Sequence, residues 1–121
     1  MKRLLFLEQQ VIGTVRTPDG MTWTKLSGLV LRAAGEADWY PIIDIETALI
    51  RAQHGLLWMR LPADGRRAQV VAADKNGDGV LDTVRTDADG SYRNHILTLP
   101  IWDRTRRIWV DPHSGRLTVS P

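Results

Sequence analysis

Glycine-bearing turn signals recur along this chain at intervals that leave room mostly for short strands. They are Pro18-Asp19-Gly20, Pro62-Ala63-Asp64-Gly65, Lys75-Asn76-Gly77-Asp78-Gly79, Asp87-Ala88-Asp89-Gly90 and Asp111-Pro112-His113-Ser114-Gly115. Proline presets φ, glycine supplies φ > 0, and Asp or Asn side chains bond their own backbone, so each string reverses the chain by a definite mechanism. Between them the apolar residues alternate. Val11, Gly13 and Val15 share one side of a strand and Ile12, Thr14 and Arg16 the other, and residues 21–32 follow as the second arm of a hairpin. Residues 33–38, broken by Gly35, read as a loop.

One segment has a helical period. Asp44 can cap it, Glu46 sits in the first turn where the helix dipole favours negative charge, and Ile45, Ala48, Leu49 and Ala52 fall on one face before Gly55 ends it. Strands are then expected over residues 56–61, 66–73 and 80–86 as a meander. Residues 95–99 form a short apolar segment stopped by Pro100, and residues 108–119 form a terminal hairpin. The fold class is α+β: a small, mostly antiparallel sheet of about six to eight short strands in meanders and hairpins, with one amphipathic helix on one face. The five tryptophans and the aliphatic residues are expected to fill the core between the layers. At 121 residues the chain matches one domain, residues 1–121. Uncovered sheet edges point to a homo-oligomer.

With no cysteine there is neither a disulfide framework nor a thiolate metal site, which fits a reducing, cytoplasmic setting. The apolar run Leu4-Leu5-Phe6-Leu7 is cut short by Glu8-Gln9-Gln10, and no stretch approaches the roughly 20 apolar residues that cross a bilayer, so neither a signal peptide nor a membrane partner is expected. A net charge of +2 is too small to point to nucleic acid by itself. Thirteen of the sixteen cationic residues are nevertheless arginine, whose planar fork suits phosphate or carboxylate; ordinary surface charge in an arginine-rich proteome accounts for the same bias.

Two stretches carry residue types with chemistry. Residues 74–82 match the opening of a calcium loop, with oxygen ligands Asp74, Asn76, Asp78 and Asp82 at the first, third, fifth and ninth places and Gly79 at the sixth. The closing glutamate is absent, since the twelfth place is Arg85, and the flanks look like strands; an acidic Asn-Gly hairpin needs the same residues for its geometry alone. Calcium is therefore the one cofactor this sequence suggests. The second stretch, residues 85–109, gathers Arg85, Tyr92, Arg93, Asn94, His95, Arg104, Arg106, Arg107 and the tryptophans 102 and 109. Guanidinium forks, a carboxamide and stacking rings can hold an anionic small molecule or nucleotide without reacting with it. The competing reading makes Trp102 and Trp109 core and residues 104–107 a solvated turn. His54, His95 and His113 lack metal-ligand spacing, and no phosphate loop, nucleophile elbow or acid–base pair stands out, so a non-enzymatic protein is expected.

Residues 43–50, the strand pair after them, and above all Thr86-Asp87-Ala88-Asp89-Gly90 followed by Asn94-His95-Ile96-Leu97-Thr98-Leu99-Pro100 resemble small bacterial and phage proteins of domain-of-unknown-function family 3892. The likeness covers residues 11–100; the acidic Asn-Gly-Asp-Gly hairpin and the tail from Trp102 to Pro121, a C-terminal hairpin extension, depart from it. That family implies no activity. The size, sheet plan and late asparagine followed by arginines are also similar to phage Thoeris anti-defence proteins, which assemble and sequester cyclic ADP-ribose-type signals. This second resemblance implies a viral signal sponge in which Asn94 and one of Arg104, Arg106 or Arg107 contact the ligand. The residues themselves lead to the expectation of an oligomeric binder of a small anionic nucleotide, with Arg85, Asn94 and Arg107 gripping phosphate and ribose and Trp109 or Tyr92 stacking. Two alternatives accompany it: a calcium-stabilised binding module, and a structural or protein-interaction subunit of a phage or bacterial assembly.

Overall fold

The computed structural model describes residues 8–19, 22–32, 41–61, 65–74, 77–86 and 95–118. Its frame is the hairpin foreseen at the N-terminal end. β1 (Gln9–Asp19) runs antiparallel to β2 (Thr22–Leu31), with Thr14 opposite Leu29 and register irregularities after Val11, Val15 and Thr17. A three-residue strand, β3 (Ile42–Asp44), then adds to β2, pairing Ile43 with Leu29, a feature too short to show in the periodicity.

β3 feeds directly into the helix α1 (Ile45–Gln53). Asp44 caps it as expected, its Oδ1 accepting from the Thr47 N–H at 2.8 Å, and this bond to the charged form holds the Asp44 carboxyl below the usual carboxylate range. Gly55, at φ +69°, lets the chain leave in the left-handed region. A helix of nine residues is marginal in isolation, so packing must hold it. Ala48 and Ala52 are buried and small, which brings the backbone close to the sheet, with Ile45 and Leu49 packed alongside.

The rest of the chain builds outward from the other edge of β1. β4 (Leu57–Arg60) pairs with β1 in parallel, Gln9 beside Leu57 and Gln10 beside Trp58. β5 (Arg67–Ala73) and β6 (Thr83–Thr86) continue antiparallel. A 3₁₀ turn, His95–Thr98, follows, and then β7 (Ile101–Asp103), which also meets β1 in parallel, at Thr14 opposite Ile101. β8 (Ile108–Val110) returns antiparallel to β7. The path through the sheet is β3-β2-β1-β4-β5-β6, with β7 and β8 as a second branch. The free edge of β1 is thus shared: its first residues hold β4 and its middle holds β7.

Several expectations change. The sheet is mostly antiparallel, but both branches join β1 in parallel. Val80 and Leu81 are exposed loop residues, because β6 begins only at Thr83. The expected turn at residues 111–115 does bring the chain back on β8, through the Val110–Leu117 bridge and the backbone bonds Asp111 N–H to Arg116 O (2.8 Å) and Thr118 N–H to Trp109 O (3.0 Å), but a further hairpin, not expected, turns at residues 104–107 between β7 and β8. Nor is this region an appendage, since Ile101, Trp109 and Val110 are all buried. The turn strings at residues 87–90 and 62–64 lie outside the described residues.

The core has two parts, one on each face of the β1–β2 hairpin. Beneath α1 lie Val11, Leu29, Leu31, Leu57, Met59, Val70, Val84 and Ile96. Fully burying a side chain of this size stabilises by about 1.5–3 kcal/mol, so this layer dominates what helix propensity contributes. On the opposite face Ile12, Val15 and Val30 pack with Trp109, Trp102 and Ile42. No helix among the described residues is long and apolar enough to cross a membrane.

Candidate functional site

The residues nominated between 85 and 109 do not assemble around one cleft among the described residues. Arg85 is exposed on β6, at one end of the sheet path, whereas Arg104, Arg106 and Arg107 are exposed on the turn between β7 and β8. Tyr92, Arg93 and Asn94 lie outside the described residues, and for His95 only the backbone is described. Trp109 is only 6% exposed, with its ring packed over Gly13 and its centroid 5.0 Å from that of Trp102. The expectation that Trp109 stacks on a ligand is corrected: core packing uses the ring.

Asp103 explains the arginine turn. Its buried carboxylate accepts from the backbone N–H groups of Thr105 (3.0 Å) and Arg106 (3.1 Å) and from the Arg106 Nε at 2.7 Å. Burial works to raise its pKa, but the Arg106 side chain and these two backbone donors outweigh that and hold it low. Arg107 takes a positive φ of 57°, and its N–H donates to the Asp103 carbonyl at 2.7 Å. Arg106 is therefore engaged in shaping the turn.

Asp74 organises the described residues 77–80 that follow it. The Asp74 carboxylate accepts from the N–H groups of Gly77 (2.8 Å), Asp78 (3.3 Å) and Gly79 (2.6 Å), and Asp78 accepts from the Val80 N–H at 3.0 Å. The Gly79 bond is the main cause that holds the Asp74 carboxyl below the usual carboxylate range. One carboxylate oxygen from each of Asp74, Asp78 and Asp82 falls within 4.8 Å of the others, the sole such group of three among the described residues. Asn76 lies outside the described residues. Among the described residues neither His54 nor His113 joins a metal group: His54 caps α1, its Nδ1 2.8 Å from the Ile50 carbonyl, and His113 is exposed in a turn stabilised by Asp111.

A different surface does bring guanidinium groups and an aromatic ring together. Alternation along β4 buries Leu57 and Met59 beneath α1 and turns Trp58 and Arg60 outward; β5 likewise buries Ala68 and Val70 and turns Arg67 and Gln69 outward. Cross-strand pairing then sets Trp58 beside Gln69 and Arg60 beside Arg67 on one face. The Arg67 guanidinium carbon lies 3.9 Å from the centroid of the Trp58 ring and that of Arg60 lies 5.4 Å from it. Arg85 stands opposite Val71 one strand further on, on the same face, and Gln10 borders Trp58 from β1. The Arg67 Nη2 is also 2.6 Å from the Glu8 carboxylate, and both side chains are more than half exposed. No family model, curated protein or solved structure matches the chain.

Of the residues nominated from sequence, this face contains Arg85. Trp58, Arg60 and Arg67 were missed, although their signal was legible: in Leu57-Trp58-Met59-Arg60 the tryptophan shares the parity of the arginine, not that of the apolar residues. Chemically the face offers a planar surface, fixed cations and carboxamide donors.

Proposed function

We propose that this chain is a non-enzymatic binding protein for a phosphorylated nucleotide, held on the outward face of β4, β5 and β6. The observation that carries the reading is the Trp58 indole in contact with the guanidinium groups of Arg60 and Arg67, with Arg85 on the same face. An indole and a guanidinium plane both stack on a nucleobase, and arginine forks complement phosphate oxygens. The Glu8 carboxylate already sits on Arg67 as a phosphate oxygen would, and an exposed pair of this kind is worth at most about 1 kcal/mol, so an incoming phosphate can displace it.

Calorimetry against nucleoside mono- and triphosphates, cyclic dinucleotides and cyclic ADP-ribose isomers tests the reading, at a protein concentration of about 100 μM where weak binding still registers. Heat with one class that disappears in Trp58→Ala supports it; silence across the panel removes it. A response confined to the cyclic ADP-ribose isomers is the outcome that favours the anti-defence sponge.

A second reading, a calcium-stabilised module, rests on the convergence of the Asp74, Asp78 and Asp82 oxygens within 4.8 Å. Binding raises the melting temperature in proportion to how far calcium exceeds its Kd. Identical melting in millimolar calcium and in chelator leaves the loop as a backbone-held turn.

A further inference from the structure

The outward sheet face is longer than one nucleotide needs. From Arg32 at the end of β2, through Gln10 on β1, Trp58 and Arg60 on β4, and Arg67 on β5, to Arg85 on β6, it crosses four inter-strand steps, roughly 19 Å at the usual strand spacing. Arg32 joins this face through its backbone bond to the Gln10 carbonyl (2.9 Å) and through its Nη1, 3.5 Å from the Gln10 side chain. Among the described strand residues that point outward here none is acidic; Glu8 reaches the face from the segment before β1. The acidic loop at residues 74–82 bounds the face beyond the C-terminal end of β5. A net charge of +2 thus conceals an uneven distribution in which four arginines and one carboxylate share a single sheet surface.

We infer that this face binds single-stranded nucleic acid, its backbone running across the strands from Arg32 toward Arg85 with an unpaired base stacked at Trp58. The inference rests on the nucleotide-binding reading of the same face and extends it to a polymer. Charge complementarity selects a polyanion. The planar group beside the cations selects unpaired bases over an acidic peptide backbone, which has no ring to stack, and over a duplex, whose bases are already stacked on one another. The acidic loop repels phosphates at one end and so favours a path across the strands over one along them. Small β platforms of this kind cover about four nucleotides or more.

The test is fluorescence anisotropy with a labelled mixed-sequence oligonucleotide of about ten nucleotides, as single strand and as duplex, beside the same titrations with mononucleotides. The expected result is single-strand affinity at least about tenfold above that of any mononucleotide and above that of the duplex. Its logarithm should fall with log salt at a slope near −2, corresponding to about three neutralised phosphates. Trp58→Ala should weaken the oligonucleotide about tenfold, as loss of one stacked base does, while Trp58→Phe keeps most of the affinity. Arg60→Gln with Arg67→Gln should flatten the salt slope whatever happens to the tryptophan variants. Mononucleotide binding with no gain for the oligonucleotide overturns this inference and leaves the function proposed above standing; so does a duplex that binds as well as the single strand. Absence of binding by both oligonucleotide and mononucleotides overturns both.

Discussion

The two branches that share the free edge of β1 use tryptophan in opposite ways. In the β7–β8 branch Trp109 and Trp102 turn toward Ile12, Val15 and Val30 and close a second core. In the β4–β5–β6 branch Trp58 turns away from the core and lies among guanidinium groups. All three tryptophans stand on strands, so residue type and secondary structure do not decide the outcome. What decides it is the covering: the Trp109 ring packs over Gly13, whereas α1 covers the inner face of the longer branch and Trp58 stays half-buried on the outer one.

Truncating the two rings separates these roles most strongly. Trp109→Ala should cost about 3–5 kcal/mol of unfolding free energy, the range for a large aromatic lost from a core. Trp58→Ala should cost about 1–2 kcal/mol, since the ring is only half-buried and a cation–π contact near the surface contributes about 0.5–1 kcal/mol. Urea titrations measure both. Equal losses would break the comparison and return Trp58 to the core.

A smaller effect tests the contact that closes the second core. A Cβ on Gly13 would lie 2.5 Å from Cζ3 of Trp109 and 3.1 Å from the Pro100 carbonyl oxygen, closer than real contacts allow. Gly13→Ala should therefore destabilise by about 1–3 kcal/mol, the range for an overpacked core. In a Trp109→Leu background, which lacks the offending ring atoms, the same substitution should cost clearly less. A cycle with no coupling places the strain at Pro100 instead.

Much of the fold was legible because its determinants are local. The capping Asp44, the period of Ile45, Ala48, Leu49 and Ala52, and the glycine turns each act over a few residues. The parallel attachments of β4 and β7 to β1 were not legible, because they depend on residues more than forty positions apart in sequence and leave no local trace. β7 and β8, three residues each, are too short for alternation to register against the arginine-rich turn between them. For the candidate site the position was misjudged for a related reason. Arg104, Arg106, Arg107 and Trp109 are neighbours in sequence, but the hairpin sends the ring inward and the cations outward. Arg60 and Arg67 become neighbours only through the antiparallel pairing of β4 with β5.

The turn of the shorter branch should also show a defined pH response. Because the folded state holds the Asp103 carboxyl below its ordinary value, its contribution is full above the unfolded value of about 4 and is lost as pH falls through the lower folded value. Asp103→Asn removes charge-assisted acceptors from Arg106, Thr105 and the local backbone and should cost about 1–2 kcal/mol at neutral pH. The difference between the variant and the unaltered chain should shrink on acidification. A difference that stays constant from neutral pH down to strong acid would show that Asp103 acts by shape and not by charge.

The smallest expected effect belongs to Glu8, and it bears most directly on the longer branch. Its carboxylate shares the Arg67 guanidinium with the Trp58 ring, and both charged side chains are more than half exposed. Glu8→Gln should change stability by less than about 1 kcal/mol, as for other exposed ion pairs. Releasing Arg67 from an internal anion should at the same time raise affinity for an external one by a few-fold, with the gain fading at high salt as exposed charges are screened. Unchanged or weakened anion binding in Glu8→Gln would mean that the carboxylate positions the guanidinium over the indole instead of competing for it. The stack would then be a fixed part of the surface, and a base would have to rest on the outer plane of Arg67.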